Sequence, residues 1–222
     1  MIRILDIDVN PITKVGTIAG VCYNSKGGYK TGLNCLLSGH GRVLEYADVT
    51  IEISGYSIRM MRELYTHIIG TSRVQESTRY VVMDNFSYYV PDSIKGNDEA
   101  MAIYENTMES IKEGYSNLLD LGIHKEDCAN LLPLASNSKM VLKINLRALI
   151  HLFEERLCLR ALKEFRDFML ELKKTLSAVS DEWQYICRNY GVPKCITMGY
   201  CTEHHQCKEK IRPMKDEVLG DR

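Results

Sequence analysis

Two stretches hold the side chains whose types and spacing could do chemistry: "YTHIIGTSRVQESTRY" (65–80) and "INLRALIHLFEERL" (144–157). In the first, Arg73, Gln75, Ser77 and Arg79 recur at every second position, which on a strand turns them to one side. A hydroxyl and a guanidinium on one side, with backbone N–H groups close by, suit a phosphate oxyanion. The competing reading is a polar turn whose arginines pair with surface acids, since charge clusters are commonly solvated. In the second stretch, Asn145, Arg147 and His151 stand at the start of a helix that follows a strand, and such a start attracts anions. Arg147 and His151 lie one helical turn apart, and Arg156 follows on the same helix beyond Phe153. Here the competing reading is an amphipathic helix with surface charges, His151 being a satisfied structural histidine and Arg156 pairing with Glu154 or Glu155.

The elements that must position these residues show in the hydrophobic pattern. "MIRILDIDVN" alternates apolar and polar residues and is expected as a first strand. "YNSKGGYKTG" (23–32) reads as a polar, glycine-rich loop. Val49, Ile51 and Ile53 alternate against Asp48, Thr50 and Glu52, a half-buried strand over 47–56. Residues 57–69 have helical spacing with Ser57 placed to cap the start, and "RYVVM" (79–83) is predicted as the next strand. A long helix is predicted from about Asp98 to Leu121, with Gly122 as its C-terminal cap. A short helix then stops at Pro133, "SKMVLKI" (138–144) is a strand, and the pattern is helical from Asn145 to about Ser180. Strands and long helices mixed without a regular βαβ beat argue an α+β fold rather than a doubly wound sheet. No Gly-x-Gly-x-x-Gly follows a strand, and the sequence has no Walker-type loop.

With 222 residues, 45% hydrophobic and 26% charged, the chain is long enough for one well-buried core, or for two small lobes that share one. A single domain over 1–222 is expected, with a cysteine-rich tail from about 187. A formal net charge of −1 argues against a nucleic-acid partner but allows a local basic pocket. No apolar run approaches the roughly twenty residues that span a bilayer, and the N-terminus lacks the pattern of a signal peptide. A cytoplasmic protein without membrane contact is expected. Cys22, Cys35, Cys128 and Cys158 are expected as buried free thiols. Cys195, Cys201, His204 or His205, and Cys207 have the residue types of a zinc site. Their Cys-x5-Cys-x5-Cys spacing matches no standard finger, so no metal is expected.

Several segments, in the same order, resemble the flavin-dependent thymidylate synthases. "SGHGRVLEYADVTIEI" is similar to the family's Gly-His…Leu-Glu-His segment leading into a strand. "SRVQESTRY" is similar to the Ser-x-x-Gln-Glu-Ser-x-Arg-Tyr end of its signature, and "LLPL…KINLRALIHLFEERL" to its Leu-Pro…Asn-x-Arg-x-Leu…Arg helix. The likeness covers roughly residues 35–165. It implies the family's fold, a mixed or antiparallel sheet with long helices. It implies reductive methylation of dUMP to dTMP with FAD as cofactor and methylenetetrahydrofolate and NADPH as co-substrates, in a homotetramer. By the resemblance, Ser77 and Arg79 bind the nucleotide phosphate and sugar with Gln75 and Glu76 beside them. Arg156 binds the uracil ring and stabilises charge developing on it, and Ser77 belongs to the catalytic site without being a nucleophile. Tyr46, His67, Arg73, Asn145, Arg147 and His151 face the flavin. Methylation of another uridine nucleotide such as UMP, or nucleotide binding without turnover, are the alternatives.

The sequence also departs from the pattern. The family's Arg-His-Arg ahead of the serine falls on His67-Ile68-Ile69, or on Thr66-His67-Ile68 with one insertion, and both arginines are absent. Tyr46 replaces the histidine after Leu-Glu, and Ala129 replaces an arginine ahead of the Leu-Pro proline. Arg62, Arg73 and Lys143 are candidates to supply the lost positive charge.

Overall fold

The structure is a computed structural model that describes residues 1–201 and Cys207. Its elements run β1 (Ile2–Ile7), α1 (Pro11–Gly20), α2 (Tyr29–Leu37), α3 (Gly41–Leu44), β2 (Asp48–Ser57), α4 (Ile58–Leu64) and β3 (Thr71–Gln75). They continue with α5 (Asp92–Lys95), α6 (Asp98–Asp120), α7 (Lys125–Cys128), β4 (Asn137–Asn145), α8 (Leu146–Arg156), α9 (Lys163–Ser177), α10 (Asp181–Asn189) and α11 (Lys194–Met198). The strands form one sheet in the order β1-β2-β4-β3.

Backbone bonds at the strand ends fix the directions. The Ser54 N–H donates to Met1 O and the Asp8 N–H to Asp48 O, so β1 and β2 run oppositely. Ile58 N–H to Ser136 O and Leu146 N–H to Ala47 O do the same for β2 and β4. Glu76 N–H to Lys139 O and Asn145 N–H to Gly70 O do so for β4 and β3. The expected α+β class stands, and its sheet is antiparallel throughout.

The chain divides into two compact units, one comprising Met1, Glu52–Thr66 and Arg73–Val141, the other Ile2–Ile51, His67–Ser72 and Leu142–Arg222. In the first unit α4 begins where the Ser57 hydroxyl accepts the Met60 N–H at 3.1 Å, and it buries Met60, Met61 and Leu64. The helix expected to reach 69 stops at Leu64; Tyr65 is partly exposed and Ile68 and Ile69 are strongly so, leaving no core-facing stripe to continue it. The α6 helix matches its predicted span. Asn97 caps its start at Ala100, Met108 and Tyr115 are buried, and Gly122 at φ +78 lets its own and the Ile123 N–H turn back to Leu119 and Leu118.

The strand predicted over 79–83 is absent. Ser77 O accepts the N–H groups of both Tyr80 and Val81 at 3.0 Å, a local turn that takes donors a ladder would need. Tyr80, Val81 and Val82 stay exposed; β-branched composition without a partner strand is not enough.

In the second unit the core is built from α8 (Leu149, Leu152, Phe153), α9 (Phe165, Phe168, Met169, Leu172, Leu176) and α10 (Trp183, Ile186, Cys187), all at 0% exposure. The Glu182 carboxylate accepts the Ile12 and Thr13 N–H groups at 2.7 and 3.0 Å, placing negative charge at the start of α1. The glycine-rich loop expected over 23–32 ends at Gly28, because α2 starts at Tyr29. Cys187 lies buried in α10, so the expected tail begins well after 187. Cys22 is exposed rather than buried, and Cys158 is half-buried. Among the described residues no helix is long and apolar enough to cross a membrane.

Candidate functional site

The second unit gathers one group of the singled-out residues around α8. Asn145 is its N-cap: the side-chain oxygen accepts the Ala148 N–H at 2.9 Å. That bond commits the oxygen, and the amide nitrogen lies on the side of Gly70. Arg147 pairs with Glu45 at 2.6 Å, both side chains largely exposed. Tyr46, next along the chain, is 55% exposed. Lys143 lies 3.3 Å from Asp48. At the other end of α8 the Arg156 Nε–H donates to His67 Nε2 at 2.8 Å, and its guanidinium carbon stands 5.0 Å from the centre of the Phe165 ring. His67 meets Phe165 edge-on at 6.3 Å and His151 at 6.1 Å. Glu154 accepts from Thr197, and Glu155 lies 3.7 Å from Lys194, so both acids offered as surface partners of Arg156 have other neighbours. His151 is neither isolated nor a plain core residue.

The first unit holds the other group. Arg73 and Gln75 share the half-buried side of β3, as the period of two requires. Arg73 donates to Leu64 O at 2.9 Å and lies 5.0 Å from the Tyr65 ring centre. Gln75 donates to the Ser138 hydroxyl at 3.3 Å. The period fails beyond β3: Glu76 donates its N–H to Lys139 O, and Ser77 and Arg79 sit in the turn rather than on a strand face. There the Arg79 N–H points at the Ser77 oxygen at 3.4 Å. The Arg79 side chain pairs with Glu126 at 2.8 Å with 66% and 43% of the two side chains exposed. That hydrogen bond and the guanidinium charge hold the Glu126 carboxyl below the usual carboxylate range. Arg62 lines a separate cavity of about 400 Å³ with Arg59, Glu63 and Thr66.

Sequence reasoning missed Glu45, Glu126 and Phe165. Glu45 lies within a quoted segment and Glu126 outside them, and nothing local marks which arginine each meets. It also missed Cys158 as a neighbour of the tail thiols. Cys158, Cys195, Cys201 and Cys207 line one cavity of about 400 Å³. Burial and then the adjacent thiols of Cys201, Cys158 and Cys207 push the Cys195 thiol up from its ordinary range. Among the described residues no group of three or more His, Cys, Asp and Glu side chains is placed to hold a metal ion; His204 and His205 lie outside the described residues.

Residues 3–180 match the family described as thymidylate synthase complementing protein. The chain belongs to this family. It is 35% identical over 170 residues to the flavin-dependent thymidylate synthase of Pyrococcus abyssi, covering 74% of this chain and 69% of that one. It is 32% identical over 216 residues to that of Geobacter sulfurreducens, covering 91% and 90%. The crystal structure of thymidylate synthase X from Helicobacter pylori with FAD and dUMP is similar in fold, with a TM-score of 0.68 at 20% identity over 86% of this chain and 99% of that chain.

Proposed function

We propose that this member of the family methylates dUMP reductively to dTMP, with FAD as cofactor, methylenetetrahydrofolate as carbon donor and NADPH as reductant. The observation that carries the reading is its relationship, over most of its length, to flavin-dependent thymidylate synthases. The residues around the start of α8 fit the cofactor. The Asn145 side-chain oxygen is committed to the Ala148 N–H, and Arg147 pairs with an exposed carboxylate that an anionic ligand can displace. Tyr46, Arg73 and His151 complete the assignment on the flavin side. When bound, the flavin supplies the hydride that completes the new methyl group.

The protein's part is positioning and electrostatics. Arg79 and the Ser77 hydroxyl hold the phosphate and sugar, Gln75 and Glu76 line the same end, and Arg79 exchanges its Glu126 partner for the anion. Arg156 stabilises negative charge on the pyrimidine without giving up a proton. We assign this to one domain acting as a homotetramer in the cytoplasm. The apolar face of α8 does not support the tetramer, since Leu149, Leu152 and Phe153 are buried inside one chain. Support comes instead from exposed apolar residues, among them Ile68 (73%), Ile69 (85%) and Val74 (74%). Light scattering at micromolar concentration checks the assembly, and a monomer contradicts it. The activity is tested by incubating the purified protein with FAD, dUMP, methylenetetrahydrofolate and NADPH and following dTMP, with UMP in parallel. Product from dUMP is expected. No product from dUMP, together with no quenching of FAD fluorescence at high added FAD, overturns the reading.

A further inference from the structure

The loop that lost the family's arginines still presents His67 to the arginine assigned to the pyrimidine. We propose that His67 is a positioning residue for Arg156, a neutral acceptor that sets the plane of its guanidinium. This rests on the reading that Arg156 acts on the pyrimidine. The Arg156 Nε–H donates to His67 Nε2 at 2.8 Å. A ring nitrogen that accepts carries no proton, so in this pairing the imidazole is neutral with its proton on Nδ1. The ring is itself braced. Phe165 meets it edge-on at 6.3 Å and 82°, and His151 at 6.1 Å and 61°. Its backbone is pinned as well, the Thr71 hydroxyl donating to His67 O at 2.7 Å.

Two of the guanidinium's contacts differ in kind, the Phe165 face below it and the His67 lone pair at Nε. Neither contact removes charge, as a carboxylate partner would, so both orient the cation without weakening its pull on a developing oxyanion. A lysine at 67, although cationic like the missing arginines, would offer only donors and repel Arg156.

The test uses full-length protein with FAD. His67→Ala is expected to lower kcat for dUMP methylation by about ten- to a hundredfold, the scale of a lost charge-assisted hydrogen bond, with the KM for dUMP and FAD binding changed less than about threefold. His67→Gln, whose side-chain oxygen reaches about as far as Nε2, is expected to restore kcat to within about fivefold of the parent, and His67→Lys is expected to be no better than alanine. Combining His67→Ala with Arg156→Lys is expected to cost little beyond Arg156→Lys alone, because the two act as one unit. Loss of FAD binding in His67→Ala, with kcat unaffected at saturating FAD, overturns positioning in favour of a flavin contact. Glutamine as slow as alanine, or additive losses in the double variant, also overturns it. If Arg156→Lys alone keeps full turnover, the assignment of Arg156 fails and takes this inference with it; if only His67→Ala is silent, the inference alone fails.

Discussion

Arg79 and Arg156 are both guanidiniums assigned to one substrate, and the fold treats them in opposite ways. Arg79 sits in a turn with two-thirds of its side chain in solvent and a carboxylate partner that is itself exposed. Arg156 lies at the end of a helix, over an aromatic face and against an imidazole. An exposed ion pair in water is weak and exchangeable, so Arg79 suits capture of an anion that brings its own charge. A braced cation suits charge that appears only in the transition state, because its orientation is already settled. The difference teaches that residue type alone does not assign a role; the partner does.

The comparison breaks most visibly at Arg156. Arg156→Lys should keep the circular dichroism spectrum and most FAD binding, yet lose at least about a hundredfold in methylation rate, the scale of a removed oxyanion donor. Turnover within a fewfold of the parent would make the two arginines equivalent after all. Arg79→Ala comes next. Calorimetric titration should show dUMP binding weakened about ten- to a hundredfold, with FAD binding within about twofold. Equal losses for both ligands would count against a nucleotide-side role. A third expectation concerns the helix that carries Arg156. Asn145→Ala removes the bond to the Ala148 N–H and should cost about 1 kcal/mol of stability, read as a fall of about 2–4 °C in Tm. An unchanged Tm would mean the start of α8 is satisfied some other way. The smallest effect should come from Glu126→Gln, which frees Arg79 from a competing anion. Binding of dUMP should tighten about two- to threefold at low salt and the gain should shrink as salt rises; weaker binding would show that Glu126 orients Arg79 rather than competing for it.

Much of this was legible before any coordinates. Alternation gave β1, β2 and β4 because one side of each strand is covered, half-buried in β1 and buried in β2, as with Val49, Ile51 and Ile53 at 0% exposure. Ser57 stood where a cap belongs and bonds as one; Asn145, expected at the helix start, proves to be its cap. The 79–83 segment is not a strand, because no partner strand meets its β-branched residues and a turn closes on Ser77 instead. Partners distant in sequence were beyond reach: Arg147 and Glu45 are 102 positions apart, and Arg156 and His67 are 89 apart. No local pattern encodes such pairs. The quoted resemblance supplied the segment order that periodicity could not.

Gly70 has a consequence for how this loop has been free to change. Its φ is +71, and a Cβ there would stand 2.6 Å from the Asn145 amide nitrogen and 2.9 Å from the Ala148 Cβ. Its carbonyl accepts the Asn145 N–H at 3.0 Å. The path of the chain is therefore clamped at 70 by main chain and by lack of room. Side chains at 67–69 can change what the loop presents without altering where it runs. Gly70 has no such licence: any replacement there would reroute the loop and prise it from the helix behind it.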